Sequence, residues 1–183
     1  MKVTALSIPD ILLIEPKVYK DNRGFFFESF NQADFKKETN FSPTFVQENH
    51  SRSIKGVLRG LHYQLPPRAQ DKLLRVVNGE IFDVVVDIRK GSSTFGKWAG
   101  ETLSGKNKTQ IWIPKGFAHG FLVVSESAEI IYKTTEEYAP KYERCIIWND
   151  QQLNINWKLK GVKPILSDKD KKGLLMNNSE IFY

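Results

Sequence analysis

The sequence predicts a mostly β protein, a small closed or two-sheet barrel, on three observations. Short segments rich in Val, Ile, Phe, Tyr and Trp recur along its 183 residues. Turn signals built from Gly, Asn, Ser and Pro separate them. Helical spacing is confined to one short stretch and to the tail.

In chain order the strand candidates are GFFFESF (24–30), PTFVQENHSRS (43–53), VLRGLHYQ (57–64), KLLRVV (72–77), EIFDVVVDIR (80–89), KWAGETLS (97–104), TQIWIP (109–114), GFLVVS (120–125), AEIIYKTTE (128–136) and CIIWND (145–150). The turns between them are VNGE (77–80), KGSSTFG (90–96), LSGKNK (103–108) and PKGFAHG (114–120). VNGE carries the Asn-Gly pair of a two-residue hairpin. In IFDVVVDI one face takes Phe82, Val84, Val86 and Ile88. The other takes Ile81, Asp83, Val85 and Asp87, a semi-polar face rather than a solvent face. NQADFKKETN (31–40) reads as a short surface helix, and LSDKDKKGLLMNN (166–178) adds a turn or two near the end.

No repeat, low-complexity tract or composition break divides the chain, so residues 1–183 are expected to form one domain with a real core. Charge interrupts the longest apolar runs far short of a membrane span. The opening MKVTALSIPDILLIEP lacks a signal-peptide layout, and a cytoplasmic protein is the expectation. The net charge of +6 suits an anionic ligand. Its lysines are scattered, with no basic stripe carrying interleaved aromatics, which argues against nucleic acid and for a small phosphorylated ligand. Cys145, the sole cysteine, reads as a packed small hydrophobe rather than a nucleophile.

The chemistry concentrates in three histidines, His50, His62 and His119. His50 sits among polar neighbours in QENHSRS. His62 is enclosed by Leu58, Leu61 and Tyr63, and His119 follows a Pro-Lys-Gly turn, where a side chain can enter a barrel mouth. A metal reading fails on ligand count. Gln64 stands where a second histidine belongs, and Lys72 and Arg75 follow where a carboxylate is needed. A general-base reading fits better, since histidine works near neutral pH when a partner orients it and an acid stands nearby. Asp83, Asp87, Asp168 and Asp170 are candidate partners, Tyr132 and Tyr138 candidate acids, and Lys72, Arg59 and Arg23 candidates for phosphate or an oxyanion. The blander alternative for Arg59 is a buried ion pair with Asp83 or Asp87.

Eight segments, in order from about residue 3 to 170, resemble the dTDP-4-dehydrorhamnose 3,5-epimerase family: DNRGFFFESFN, FVQENHS, VLRGLHYQ, AQDKLLRVVNGEIFDVVVDIR, STFGKW, IWIPKGFAHGF, YKTTEEY and LSDKD. The resemblance implies an all-β, cupin-like jelly-roll β-barrel with short peripheral helices. It also implies a site without metal or cofactor, and a homodimer in which strands of one subunit complete the site of the other. The implied reaction inverts C3 and C5 of dTDP-4-dehydro-6-deoxy-D-glucose, giving dTDP-4-dehydro-L-rhamnose. His62 takes the place of the general base, Asp170 its paired aspartate (Asp168 being the less favoured alternative), and Tyr132 the opposing proton donor. Lys72 and Arg59 match residues near sugar and diphosphate, and His119 one at the sugar's reacting side. Gln47, Asn49, Glu143 and Lys169 match further ligand contacts, and Tyr138 a tyrosine stacked on thymine. Arg23 and Glu28 match nucleotide contacts reaching in from the partner subunit. Residues 171–183 find no match. The competing readings are a mono-epimerase or ketoisomerase on a related dTDP-4-keto-6-deoxy sugar, a non-catalytic sugar-nucleotide-binding module and a metal-dependent oxygenase of similar fold.

VLRGLHYQ carries a structural demand. Strict alternation puts Arg59 and His62 on opposite faces, so both line one site only if Gly60 marks a bulge or twist.

Overall fold

The computed structural model describes residues 1–159 and 161–183. Its strands are β1 (Lys2–Ala5), β2 (Leu12–Glu15), β3 (Tyr19–Asp21), β4 (Gly24–Phe26), β5 (Gln47–Ile54), β6 (Leu58–Gln64), β7 (Lys72–Asn78), β8 (Glu80–Asp87), β9 (Trp98–Ser104), β10 (Gln110–Ile113), β11 (Phe117–Val123), β12 (Ser127–Thr134) and β13 (Glu143–Cys145). Two helices, α1 (Gln32–Thr39) and α2 (Asp168–Lys171), and a 3₁₀ turn at Met176–Asn178 complete it.

Two antiparallel sheets face each other, in the orders β1-β2-β10-β7-β12-β5 and β13-β6-β11-β8-β9. Ile8, Ile11, Leu74, Val76, Ile81, Val85, Ala99, Leu103, Ile111, Ile113, Phe121, Val123 and Ile130 fill the space between them. This is the expected jelly-roll barrel. β8 explains the semi-polar face: Ile81 and Val85 enter the barrel core, Phe82, Val84 and Val86 pack outside it, and Asp83 is wholly buried.

The outer face of the second sheet is covered by the chain's own last third. Leu153, Trp157 and Met176 pack on Leu58, Leu61, Tyr63, Phe82, Val84 and Val86. Tyr63 donates its hydroxyl to the Glu180 carbonyl at 2.6 Å, and Phe182 bridges Arg89. Residues 171–183, for which the sequence offered no role, form a strap that covers this sheet. On the first sheet α1 does the same job. Asn31 caps it by accepting from the Ala33 and Asp34 amides, Asn40 ends it in the left-handed region, and Phe35 packs edge-on to Trp112 at 5.2 Å.

Three expectations need correction. CIIWND (145–150) is not a strand: β13 runs over Glu143–Cys145, and the chain turns after Ile146. VNGE is not a hairpin: β7 pairs with β10 and β12, while β8 pairs with β11 and β9, so the turn carries the chain from one sheet to the other. Gly79 is left-handed (φ +78°), and a Cβ there would meet the Ser127 carbonyl at 2.0 Å, so the glycine answers to close packing at a barrel corner. GFFFESF contributes only Gly24–Phe26, paired with β3 in a hairpin outside both sheets. β1, β2 and β3 were not among the expected strands.

Candidate active site

Opposite β11, the register of β6 slips. His62 pairs with His119 and Arg59 with Phe121, so Gly60 and Leu61 together oppose the single residue Gly120. This is the β-bulge that the sequence demanded. Gly60 has φ +120°, and a Cβ on it would come within 2.5 Å of the Gly120 Cα. The consequence is a change of face. Leu58, Leu61 and Tyr63 belong to the outer core, while Arg59, His62 and Gln64 line a cavity of about 320 Å³ in the barrel mouth.

The same cavity is lined by Gln47, Asn49, Lys72, His119, Tyr132, Tyr138, Glu143 and Lys169. Eleven of the thirteen predicted positions therefore meet in one place, counting Asp170 behind His62. His62 Nε2 stands 2.7 Å from Asp170 Oδ1, a short contact whose N–H direction falls outside hydrogen-bond alignment. Asp170 is itself held on three sides: Oδ2 accepts from the Ser167 hydroxyl at 2.6 Å, Oδ1 from the Gly60 amide at 3.2 Å, and the Asp170 amide donates back to Ser167 Oγ. Asp168 lies on the exposed side of α2 and pairs with Lys171, which rules it out as the partner of His62.

Burial lowers the pKa of His62, assisted by the charges of Lys169 and Lys72, while Asp170 pulls it back up. The shift favours the neutral ring at pH 7. Burial also pushes Asp170 upward, yet His62, Ser167 and the Gly60 amide outweigh it and hold the carboxyl at about 2. Lys72 is brought down to about 8, by burial first, with Glu143 and Asp83 opposing the shift. Burial raises the Tyr132 phenol, against the opposing charges of Arg59 and Lys169. The raised pKa keeps the phenol protonated at neutral pH.

At the mouth, Tyr138 donates its hydroxyl to Glu143 at 2.9 Å, Glu143 accepts from Lys169 at 2.7 Å, and the Tyr138 amide donates to Gln47 at 2.8 Å. Gln47 also donates to Asn49 at 2.8 Å. Arg59 donates to Ser53 at 3.1 Å. It makes no ion pair with Asp83 or Asp87, so the bland reading of Arg59 fails: Asp83 pairs with His119 at 2.8 Å, and Asp87 is taken by Arg89, Ser92 and Thr94.

Arg23 and Glu28 lie outside the cavity. Arg23 is on the β3–β4 hairpin, paired with Asp21, and Glu28 borders a separate groove beside Phe30. His50 faces Glu129 at 3.5 Å, away from the site. Arg75 also faces another groove, with Glu48 and Lys133, so Lys72 is the nearer of the two cations weighed against a metal. Ser167 and Ser53 were missed. Ser167 had a signal, a serine three residues before Asp170 in a capping position; Ser53 had none.

Among the described residues, His62, Cys145 and Asp170 are the one group of three possible metal donors close together, their donor atoms within 4.8 Å of one another. The donor set fits a divalent ion poorly, since Lys72 and Lys169 add positive charge beside it and the Cys145 thiol is pushed up to about 12 by burial.

A jelly-roll barrel whose mouth gathers an Asp-backed neutral histidine, an opposing tyrosine and a buried lysine defines a barrel enzyme of proton transfer. The comparisons narrow the class: residues 5–178 match the family model described as dTDP-4-dehydrorhamnose 3,5-epimerase, and the chain belongs to that family. It is 57% identical over 182 residues to the dTDP-4-dehydrorhamnose 3,5-epimerase of Pseudomonas aeruginosa, covering 100% of this chain and 99% of that one. The crystal structure of a dTDP-6-deoxy-D-glucose-3,5-epimerase from Legionella pneumophila, in complex with dTDP-4-keto-L-rhamnose, superposes with a TM-score of 0.94 at 50% identity, covering 98% and 94% of the two chains. A 3'-monoepimerase from Streptomyces bikiniensis, in complex with dTDP-quinovose, gives 0.89 at 32% identity, covering 94% and 87%.

Proposed function

We propose that this chain is an isomerase of dTDP-L-rhamnose biosynthesis that inverts C3 and C5 of dTDP-4-dehydro-6-deoxy-D-glucose by removing and returning protons. The observation that carries the reading is the bulge at Gly60, which brings Arg59 and His62 onto one wall opposite Tyr132. Both carbons flank the C4 ketone, so loss of either proton gives an enolate. His62 takes the proton, Asp170 orients its ring, Lys72 neutralises the charge gathering on the C4 oxygen, and Tyr132 returns a proton from the other face. Delivery from the opposite face is what inverts the centre. Arg59, Gln47, Asn49, His119, Glu143 and Lys169 bind the sugar and diphosphate, and Tyr138 stacks on thymine. No metal or other cofactor enters any of these steps.

The two-centre reading is favoured over a mono-epimerase by the 50–57% identity to 3,5-epimerases against 32% to the monoepimerase. The whole chain works as one domain, cytoplasmic and dimeric. The hairpin supports the dimer: Tyr19, Phe25 and Phe26 are exposed, Phe26 by 66%, and Arg23 stands beside them. Docked over a second copy, it would bring Arg23 and Glu28 to that copy's nucleotide. No helix is long and apolar enough to cross a membrane.

Incubation with dTDP-4-dehydro-6-deoxy-D-glucose in deuterated water tests the reaction. Deuterium at both C3 and C5 with L-rhamno product is the expected result. Label at one carbon alone makes it a mono-epimerase, and binding without any label makes it a binding module.

A further inference from the structure

A second imidazole–carboxylate pair stands beside the first. His119 lies directly across the ladder from His62, and its Nε2 is 2.8 Å from Asp83 Oδ2 in an aligned hydrogen bond. Asp83 is 0% exposed, with no arginine or lysine within ion-pairing distance among the described residues, and its other oxygen, Oδ1, has no hydrogen-bond partner among them. A buried carboxylate in that state is expensive to keep, and a structural role alone would be served as well by an apolar side chain. Its one hydrogen-bond partner among the described residues is His119.

We propose that Asp83 is a positioning residue for the enolate side of the reaction, holding His119 by Nε2 in the wall of the cavity that Lys72 also lines. The inference rests on the epimerase reading and goes beyond it by assigning a role to a residue that touches no substrate. With Nε2 committed to Asp83, the ring of His119 is fixed, and Nδ1 is the only nitrogen left to address a ligand. Lys72 comes from β7, in the opposite sheet. The charged and titratable groups around it are Asp83 on β8, Glu143 on β13, Lys169 on α2, His62 and Arg59 on β6, His119 on β11 and Tyr132 on β12. Asp83 and Glu143 are the two negative charges in that ring, and both oppose the burial that pulls Lys72 down to about 8. The Glu143 carboxylate is already shared with Lys169 and Tyr138, which leaves Asp83 the less committed of the two.

Two measurements test this. Asp83→Asn keeps the shape and removes the charge. In the folded variant kcat is expected to fall about 10²-fold or more with KM changed only a few-fold. The descending basic limb of its pH profile should move to lower pH than the wild-type limb, because Lys72 loses its counter-charge. A purely structural residue would lower stability without moving that limb. Wild-type kcat and an unmoved limb in a folded variant overturn the proposal.

The second measurement needs no variant to fold. Nitrogen-15 spectra of the wild-type imidazoles should show His119 Nε2 protonated across the working pH range, and a bare Nε2 overturns the assignment. Failure of wild-type enzyme to exchange the sugar protons would instead sink the epimerase reading, and the His119 spectrum would stand apart from it.

Discussion

His62–Asp170 and His119–Asp83 are the same two residue types at nearly the same separation, 2.7 and 2.8 Å, on neighbouring strands. They differ in alignment and in access. The His119 bond is straight and its side chain is 9% exposed, whereas the His62 contact is bent and its side chain is 23% exposed, open to the cavity. Their aspartates differ too. Asp170 is saturated by Ser167, the Gly60 amide and His62, while Asp83 keeps an oxygen without a partner. Hydrogen bonds fix a carboxylate's geometry without removing its charge, so Asp170 also acts on the groups around it, Cys145 among them, while Asp83 rests on its one bond to His119. Composition alone does not make a catalytic base; of the two histidines, both of which line the cavity, the proposed base is the one with the more open side chain.

The largest effect that separates the pairs is expected from His62→Ala. Loss of a general base typically removes about 10²–10⁴ of rate, and deuterium uptake at C3 and C5 should fall by that factor in the folded variant. Near-normal exchange would make the two pairs equivalent and end the assignment. Tyr132→Phe probes the other face of the sugar: exchange should persist while inversion fails, and unchanged product stereochemistry would remove Tyr132 from the reaction.

Next in size is Gly60→Ala, which attacks the feature that puts Arg59 and His62 on one wall. The added Cβ collides with the Gly120 Cα at 2.5 Å, in a backbone conformation that disfavours any side chain. Destabilisation beyond about 1 kcal/mol follows, read as a lower midpoint of thermal unfolding. Activity should fall further than lost stability explains, since His62 is displaced relative to His119. A variant with wild-type stability and rate would mean that the bulge does not set the site.

The pH profile sharpens the comparison without a mutation. As the proposed base, His62 must be neutral to accept a proton, and its lowered pKa keeps it so down to below its ordinary 6.5. Activity should therefore hold at mildly acidic pH and decline only below that. On the basic side Lys72 must stay charged, so activity should drop as pH rises through about 8. Lys72→Arg carries a guanidinium that does not titrate there, and its basic limb should disappear even if its rate is lower. A limb that survives the substitution belongs to another group.

Much of this was legible in the sequence, because period-two patterns and turn chemistry report burial directly. The alternation in IFDVVVDI separates Phe82 from Asp83 and marks the Asp83 face as semi-polar rather than solvent-facing, and the conflict between Arg59 and His62 in VLRGLHYQ points to a bulge or twist at Gly60. What stayed hidden depends on long-range pairing. VNGE has the chemistry of a hairpin and becomes a sheet-to-sheet corner because β7 and β8 each find other partners. Ser53 joins the site through Arg59 across a strand boundary that no local pattern marks. Residues 171–183 were expected to find no match, yet the family match runs to residue 178; their packing role stayed hidden because coverage is set by the surface beneath them.

The smallest effect is expected at Cys145, the third polar neighbour of His62. It pairs with His62 across β13 and β6, and its sulfur lies within 4.8 Å of both members of the catalytic pair. Proximity of that kind suggests a nucleophile. The physical chemistry opposes it: burial raises the thiol to about 12, so almost none is thiolate at pH 7, and the Asp170 and Glu143 charges push the same way. Cys145→Ser should leave kcat within about twofold, because no step uses the sulfur and the removed surface is small. Alkylation by iodoacetamide should likewise be slow relative to a free thiol of ordinary pKa. A large rate loss in the serine variant, or fast alkylation that bound dTDP blocks, would bring the sulfur into the reaction and make the His62 pair a triad.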